Sequence, residues 1–232
     1  MTDRPEAPPR RKRGRPAHGR DTPLERDEIL DRASAIIRSE GLDALSMRRL
    51  GKDLGVTPMS IYHHIPDKSA LLHALIERVW DVVAANFPQP GENLVDFVVA
   101  VAVNTRTAWL DNIELAPLAV AVAPVDDRLL FAVIASARTF RAAGFPDVPR
   151  AYNAVQTFTM GSVMLAASRR TASSYFRRDP HAMLVAARRA LRRRKAPADE
   201  MGVLEARFDV GDDKHFEPAL RDLIAGLLAD QR

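Results

Sequence analysis

Residues 44–68 read ALSMRRLGKDLGVTPMSIYHHIPDK. Leu45, Leu50, Leu54, Val56 and Ile61 recur at the spacing of two short helices that bury one side each. Ser46 is placed to cap the first helix, and Gly55 to take the left-handed turn after it. Thr57 followed by Pro58 supplies a cap and a first helical residue for the second. Helix, short glycine turn, helix is the helix-turn-helix layout, in which the second helix enters the major groove of DNA.

The outward residues of this stretch then acquire roles. Arg48 carries the five-donor guanidinium fork that suits guanine O6 and N7, with a phosphate contact as the alternative. Thr57 and Ser60 can donate to phosphate or base. Pro58 and Met59 offer only apolar surface, which suits a thymine methyl. Tyr62, His63 and His64 supply phosphate hydrogen bonds and packing. Adjacent histidines on a helix point apart and have no partner at the i+4 position, so no metal is expected there. Ser46 and Lys68 complete the set assigned to DNA.

Outward from the stretch, residues 1–20 hold seven Lys/Arg against two Asp/Glu, a net of +5 in a chain of net +4. The other residues therefore come to −1. Proline- and arginine-rich, with almost nothing apolar, this arm cannot bury a core alone. Arg13-Gly14-Arg15-Pro16 resembles an AT-hook core, and Arg13 and Arg15 would fit the narrow minor groove of A·T-rich DNA. The alternative is a solubilising tail. The chain has no cysteine, which excludes disulfides and thiol chemistry. No apolar segment follows the basic start, so the expectation is a cytoplasmic protein with no membrane partner.

Beyond the arm, the pattern predicts helices throughout and no useful strand alternation. The fold class is all-α: a three-helix helix-turn-helix head joined to a helical bundle that dimerises. The expected domains are an arm over 1–20, a DNA-binding domain over 21–68, and a ligand-binding and dimerisation domain over 69–232. Thr22-Pro23-Leu24-Glu25 reads as a capping box for the first helix. A fourth helix is expected near 68–86 and a largely apolar one over 93–111. Others are expected near 113–121, 126–143, 148–169, 181–195 and 216–229, with loop over 196–214. Residues 151–168 carry no charge, but their polar side chains argue for burial in a bundle, not a membrane span.

One recognition helix reads few bases, so such heads work in pairs. The apolar stripes of 148–169 and 216–229 are assigned to a homodimer interface through Val155, Thr159, Val163, Phe216, Leu220, Leu223, Ile224 and Leu227. Asn104, Trp109, Asn153, Gln156 and Met160 are candidates to face a small-molecule effector. Paired carboxylates, nucleophile–base pairs and phosphate-cradling glycine loops are missing from the sequence, so no enzyme and no cofactor are expected. The basic run Arg188–Lys195 reads as self-neutralised by the acidic segment 196–232.

The stretch LSMRRLGKDLGVTPMSIYHHIPDKSALL resembles the DNA-binding signature of the TetR family of bacterial transcription regulators. The Gly-Val turn, Tyr62–His64, and Asp67-Lys68 with Leu71-Leu72 carry the likeness. FTMGSVML (158–165) and FEPALRDLIAGLL (216–228) resemble the tetracycline-repressor type of C-terminal domain. The resemblance implies a base-reading Arg48, a phosphate-contacting Lys68, and dimerisation through the same two helices. It implies a repressor released from a palindromic double-stranded DNA operator by a small molecule. An architectural, ligand-independent DNA binder is the alternative. The polar residues that hold tetracycline and magnesium in those relatives do not align here, so neither is carried over.

Overall fold

A computed structural model describes residues 23–89, 91–121, 127–176, 180–195, 197–208 and 213–230. Every regular element among them is helical. Chain compactness divides them into two units between Leu71 and Leu72.

In the first unit, α1 (Arg26–Glu40) turns Ile29, Leu30, Ala33, Ile36 and Ile37 inward. It starts later than the proposed capping box. Glu25 is the cap residue, extended and without a side-chain cap, and Asp27 and Glu28 favour the helix start through its dipole. A single 3-10 turn, Leu42–Ala44, leads to α2 (Met47–Leu54), where the Ser46 hydroxyl accepts the Arg49 N–H at 3.1 Å. Gly55 ends α2 at φ +68°, a conformation costly for any residue with a Cβ. The next helix, α3 (Pro58–Tyr62), is one turn long and capped by Thr57. Leu45, Leu50, Ile61, Ile65 and Leu71 close the core; Leu54 and Val56 are only half-buried. Asp67 then caps α4 (Lys68–Ala85), its carboxylate accepting the Ala70 N–H at 2.8 Å.

The second unit is built round α5 (Leu94–Asp111), capped by Asn93. The short α6 (Ala116–Ala121), α7 (Asp127–Ala142) and the 29-residue α8 (Val148–Phe176) follow. Then come α9 (Pro180–Arg193), α10 (Ala198–Phe208) and α11 (Asp213–Ala229). The core joins Val98, Val99 and Ala102 of α5 to Phe140, Val155, Phe216, Leu220 and Ile224. Arg106 is buried too, its Nε donating to Ser162 Oγ at 3.2 Å and its guanidinium lying 4.6 Å from the Phe216 ring centre.

Two expectations change here. Residues 198–208 form a helix packed on α9, not a loop. Pro197 precedes the helix, where its missing N–H costs nothing, and the single Gly202 costs only about 1 kcal/mol. The second change concerns the assigned interface. Val155, Thr159, Val163, Phe216, Leu220 and Ile224 are all buried within the one chain, so they have no surface left to give a partner. The apolar stripes of α8 and α11 face this chain's own core, with α5 packed against both helices. Only Leu223 and Leu227 keep partial exposure.

Candidate DNA-reading head and an aromatic-walled recess

Arg48 and Arg49 are adjacent on α2 and have opposite fates. Arg49 donates to Glu40 at 2.7 and 3.1 Å and to Asp53 at 3.0 Å. Asp53 also accepts from Arg32 at 2.6 Å, which ties α1 to α2. The hydrogen bond from Arg32, with further help from Arg49, holds the Asp53 carboxyl below its ordinary pKa. Arg48 is exposed and makes no ion pair with the described residues. The head thus uses one arginine for its own rigidity and leaves its neighbour exposed.

The start of α3 is similarly constrained. Thr57 Oγ1 accepts the Ser60 N–H at 3.3 Å and lies 3.0 Å from Ser60 Oγ. One hydroxyl of this pair must donate to the other, which leaves a single outward O–H. Pro58, Met59, Tyr62, His63 and His64 are exposed, with Met59 at 64% the most open large apolar side chain of the head. Lys68 donates its ammonium to the Leu45 carbonyl at 2.7 Å. It keeps two further donors, but its position is set by the head, not by solvent. Arg13 and Arg15 lie outside the described residues. No group of three or more acidic or histidine side chains among the described residues is placed to hold a metal.

In the second unit, a recess with about 500 Å³ of empty volume, partly open to solvent, lies among α5, α7, α8 and Phe87. Of the five residues expected to face an effector, it takes Gln156 alone. Asn104 instead donates to the Val83 carbonyl at 2.9 Å, closing the C-terminal end of α4. Trp109 is fully buried, edge-on to Trp80 at 5.5 Å, and neither indole N–H has an acceptor among the described residues. Asn153 is exposed and Met160 half-buried, and neither lines the recess. Sequence reasoning missed the ring-bearing wall: Phe87, Phe97, Phe140 and Tyr152. These aromatics come from four separate segments, so no single stretch signals them. No described helix is long and apolar enough to cross a membrane.

Comparison with known proteins bears on both parts. Residues 29–75 match the family model for bacterial regulatory proteins of the tetR family, and residues 87–230 the tetracyclin repressor-like C-terminal domain. The class D tetracycline repressor protein of Escherichia coli is 30% identical over 144 residues, 61% of this chain and 66% of that protein. The HTH-type transcriptional repressor DrrR1 of Streptomyces coeruleorubidus is 37% identical over 82 residues, 35% of this chain and 27% of that one. The match therefore spans about a quarter of the one relative and just under two thirds of the other. Among solved structures, apo ActR of Streptomyces coelicolor is 27% identical with a TM-score of 0.61, covering 90% of this chain and 96% of that one. ActR in complex with actinorhodin gives a TM-score of 0.63 at 27% identity, over 89% and 96% of the two chains. With family models covering the head and most of the body, the chain belongs to the TetR family, whose members are non-enzymatic, DNA-binding regulators of transcription.

Proposed function

We propose that this protein is a cytoplasmic repressor that binds a palindromic operator as a homodimer and is released by a small molecule. Residues 21–68 read DNA, and residues 69–232 pair the subunits and hold the ligand. The observation that carries this reading is Arg48: an exposed guanidinium without a partner among the described residues, on a helix braced by its neighbour Arg49. Bidentate pairing with guanine would give it a use. Lys68, Tyr62, His63, His64 and the one free hydroxyl of Thr57 and Ser60 are suited to phosphates.

The relatives support the second half. One is a tetracycline repressor, and ActR has been crystallised with actinorhodin. The recess offers a comparable place for a ligand here. Pairing uses the outer face of α8, where Asn153, Thr157, Gly161, Leu165 and Ser168 are exposed and uncharged. A Cβ on Gly161 or Gly226 would meet nothing within 4 Å, so close approach of a second chain is open at both.

The test selects bound DNA from a random pool with the full-length protein, then titrates the selected site by fluorescence anisotropy. A two-fold site bound by two chains is expected, with half-sites about 34–36 Å apart. A ligand seated in the recess should lower that affinity. Binding as a single chain to an asymmetric site would defeat the proposal.

A further inference from the structure

The recess has a specific chemistry. Phe87 meets Phe97 edge-on at 5.6 Å, and Phe140 meets Tyr152 edge-on at 6.0 Å. Flat rings bind such walls by stacking and edge contacts. Between the rings lie Thr105, Ser136, Thr139 and Gln156. Thr105 donates its hydroxyl to the Val101 carbonyl at 2.9 Å, and Thr139 donates to the Ala135 carbonyl at 3.0 Å. Both threonines can therefore only accept from a ligand. The Gln156 amide, hydrogen-bonded to the Tyr152 hydroxyl one helical turn away, can donate as well as accept.

Charge is missing from the described lining. Among the described residues, no Asp, Glu, His, Lys or Arg contributes to it. Tyr152 is its one ionisable group, and burial raises its pKa, so it stays neutral. Among the described residues, an ionised ligand group would lose hydration and gain no counter-charge, and a chelated divalent cation would find no carboxylate or imidazole to hold it.

Resting on the reading of the recess as the effector site, we infer that the effector is an uncharged, hydroxylated aromatic compound, bound without a metal. Its hydroxyls donate to Thr105 and Thr139, and an oxygen accepts from Gln156. Gln156 and Thr139 set specificity, because a ligand lacking the matching polar atom covers the remaining donor of one and the remaining acceptor of the other without pairing them.

Isothermal calorimetry on the full-length protein tests this with a naphthalenediol and the corresponding hydroxynaphthoate, at neutral pH, in EDTA and in magnesium chloride. The diol should bind about ten-fold or more tightly than the carboxylate, equally well in EDTA. Thr139→Trp, which fills the recess, should abolish binding, and Gln156→Leu should weaken it about five-fold or more. Thermal melting of both variants separates lost binding from lost folding. Tighter binding of the carboxylate, a need for magnesium, no binding of the diol, or binding indifferent to both substitutions overturns the ligand class. A diol bound as expected that leaves operator affinity unchanged overturns ligand release and leaves the ligand class standing.

Discussion

Arg49 reaches Asp53, four residues on, with its Nε at 3.0 Å, while its other nitrogens hold Glu40. This brace makes neighbouring arginines separable by mutation. Arg48→Ala should weaken operator binding by about 1–3 kcal/mol and relax one base position, with the melting temperature unchanged. Arg49→Ala should lower the stability of the head and weaken binding to all sequences alike. Binding isotherms against operator and single-base variants, run beside thermal melts, distinguish the two. A sequence preference unaltered in Arg48→Ala would remove direct readout.

The same brace has a pH signature. Asp53 is held below its unfolded pKa of about 3.9, first by the Arg32 hydrogen bond and then by Arg49. A depressed carboxyl contributes stability that is full above the unfolded value and fades as pH falls through the folded one. The head should therefore loosen below about pH 4, and Asp53→Asn should flatten that dependence. Amide exchange of α1 and α2 across this range is the measurement, and an identical profile for the variant would refute the assignment.

Gly51 lies on the side of α2 that meets the turn and the start of α3. A Cβ there would lie 3.0 Å from the Val56 carbonyl oxygen and 3.3 Å from the Pro58 nitrogen. Both are backbone atoms of the turn and cannot swing aside. Gly51→Ala should thus forfeit its gain in helix propensity, and Gly51→Val should destabilise the head by about 1–3 kcal/mol. Chemical denaturation gives the magnitude, with loss of operator binding following the fraction unfolded.

Inner and outer faces of the body predict opposite phenotypes. Leu220 has no exposed surface in the core it shares with Phe216 and Ile224. Leu220→Ala should cost about 2–5 kcal/mol in an unfolding titration. Gly161→Arg places a charge on the outer face of α8, where a Cβ has open space. It should leave single-chain folding intact and shift sedimentation from dimer to monomer. Retention of the dimer would move the interface elsewhere.

The head was almost fully legible because its signals are local. Ser46, Gly55, Thr57 and Pro58 each act within a turn of their own position, and each sits where its chemistry placed it. The body was legible as helices but not as faces. Gln156 and Asn153 are three residues apart and both are effector-facing candidates in sequence, yet one lines the recess and the other faces solvent. Which side of α8 is inner depends on α5, α7 and α11, and nothing local encodes that. The same gap sent the stripe of α11 to a partner when this chain's own α5 covers it. Likewise Lys68 reads in sequence only as a phosphate contact, whereas its ammonium also donates to the Leu45 carbonyl, distant in sequence, at 2.7 Å.

Both tryptophans of the chain, Trp80 and Trp109, lie together in the second unit, and residues 1–71 contain none. Indole emission therefore reports on one unit only, whereas circular dichroism sums the helices of both. A single sample, without any label, thus offers one signal from the second unit and one from both. Operator DNA should raise the component visible only by dichroism, and an effector the component visible by both, each by an amount set by its own affinity. The protein's composition thus supplies its own means of telling which half a bound molecule has engaged.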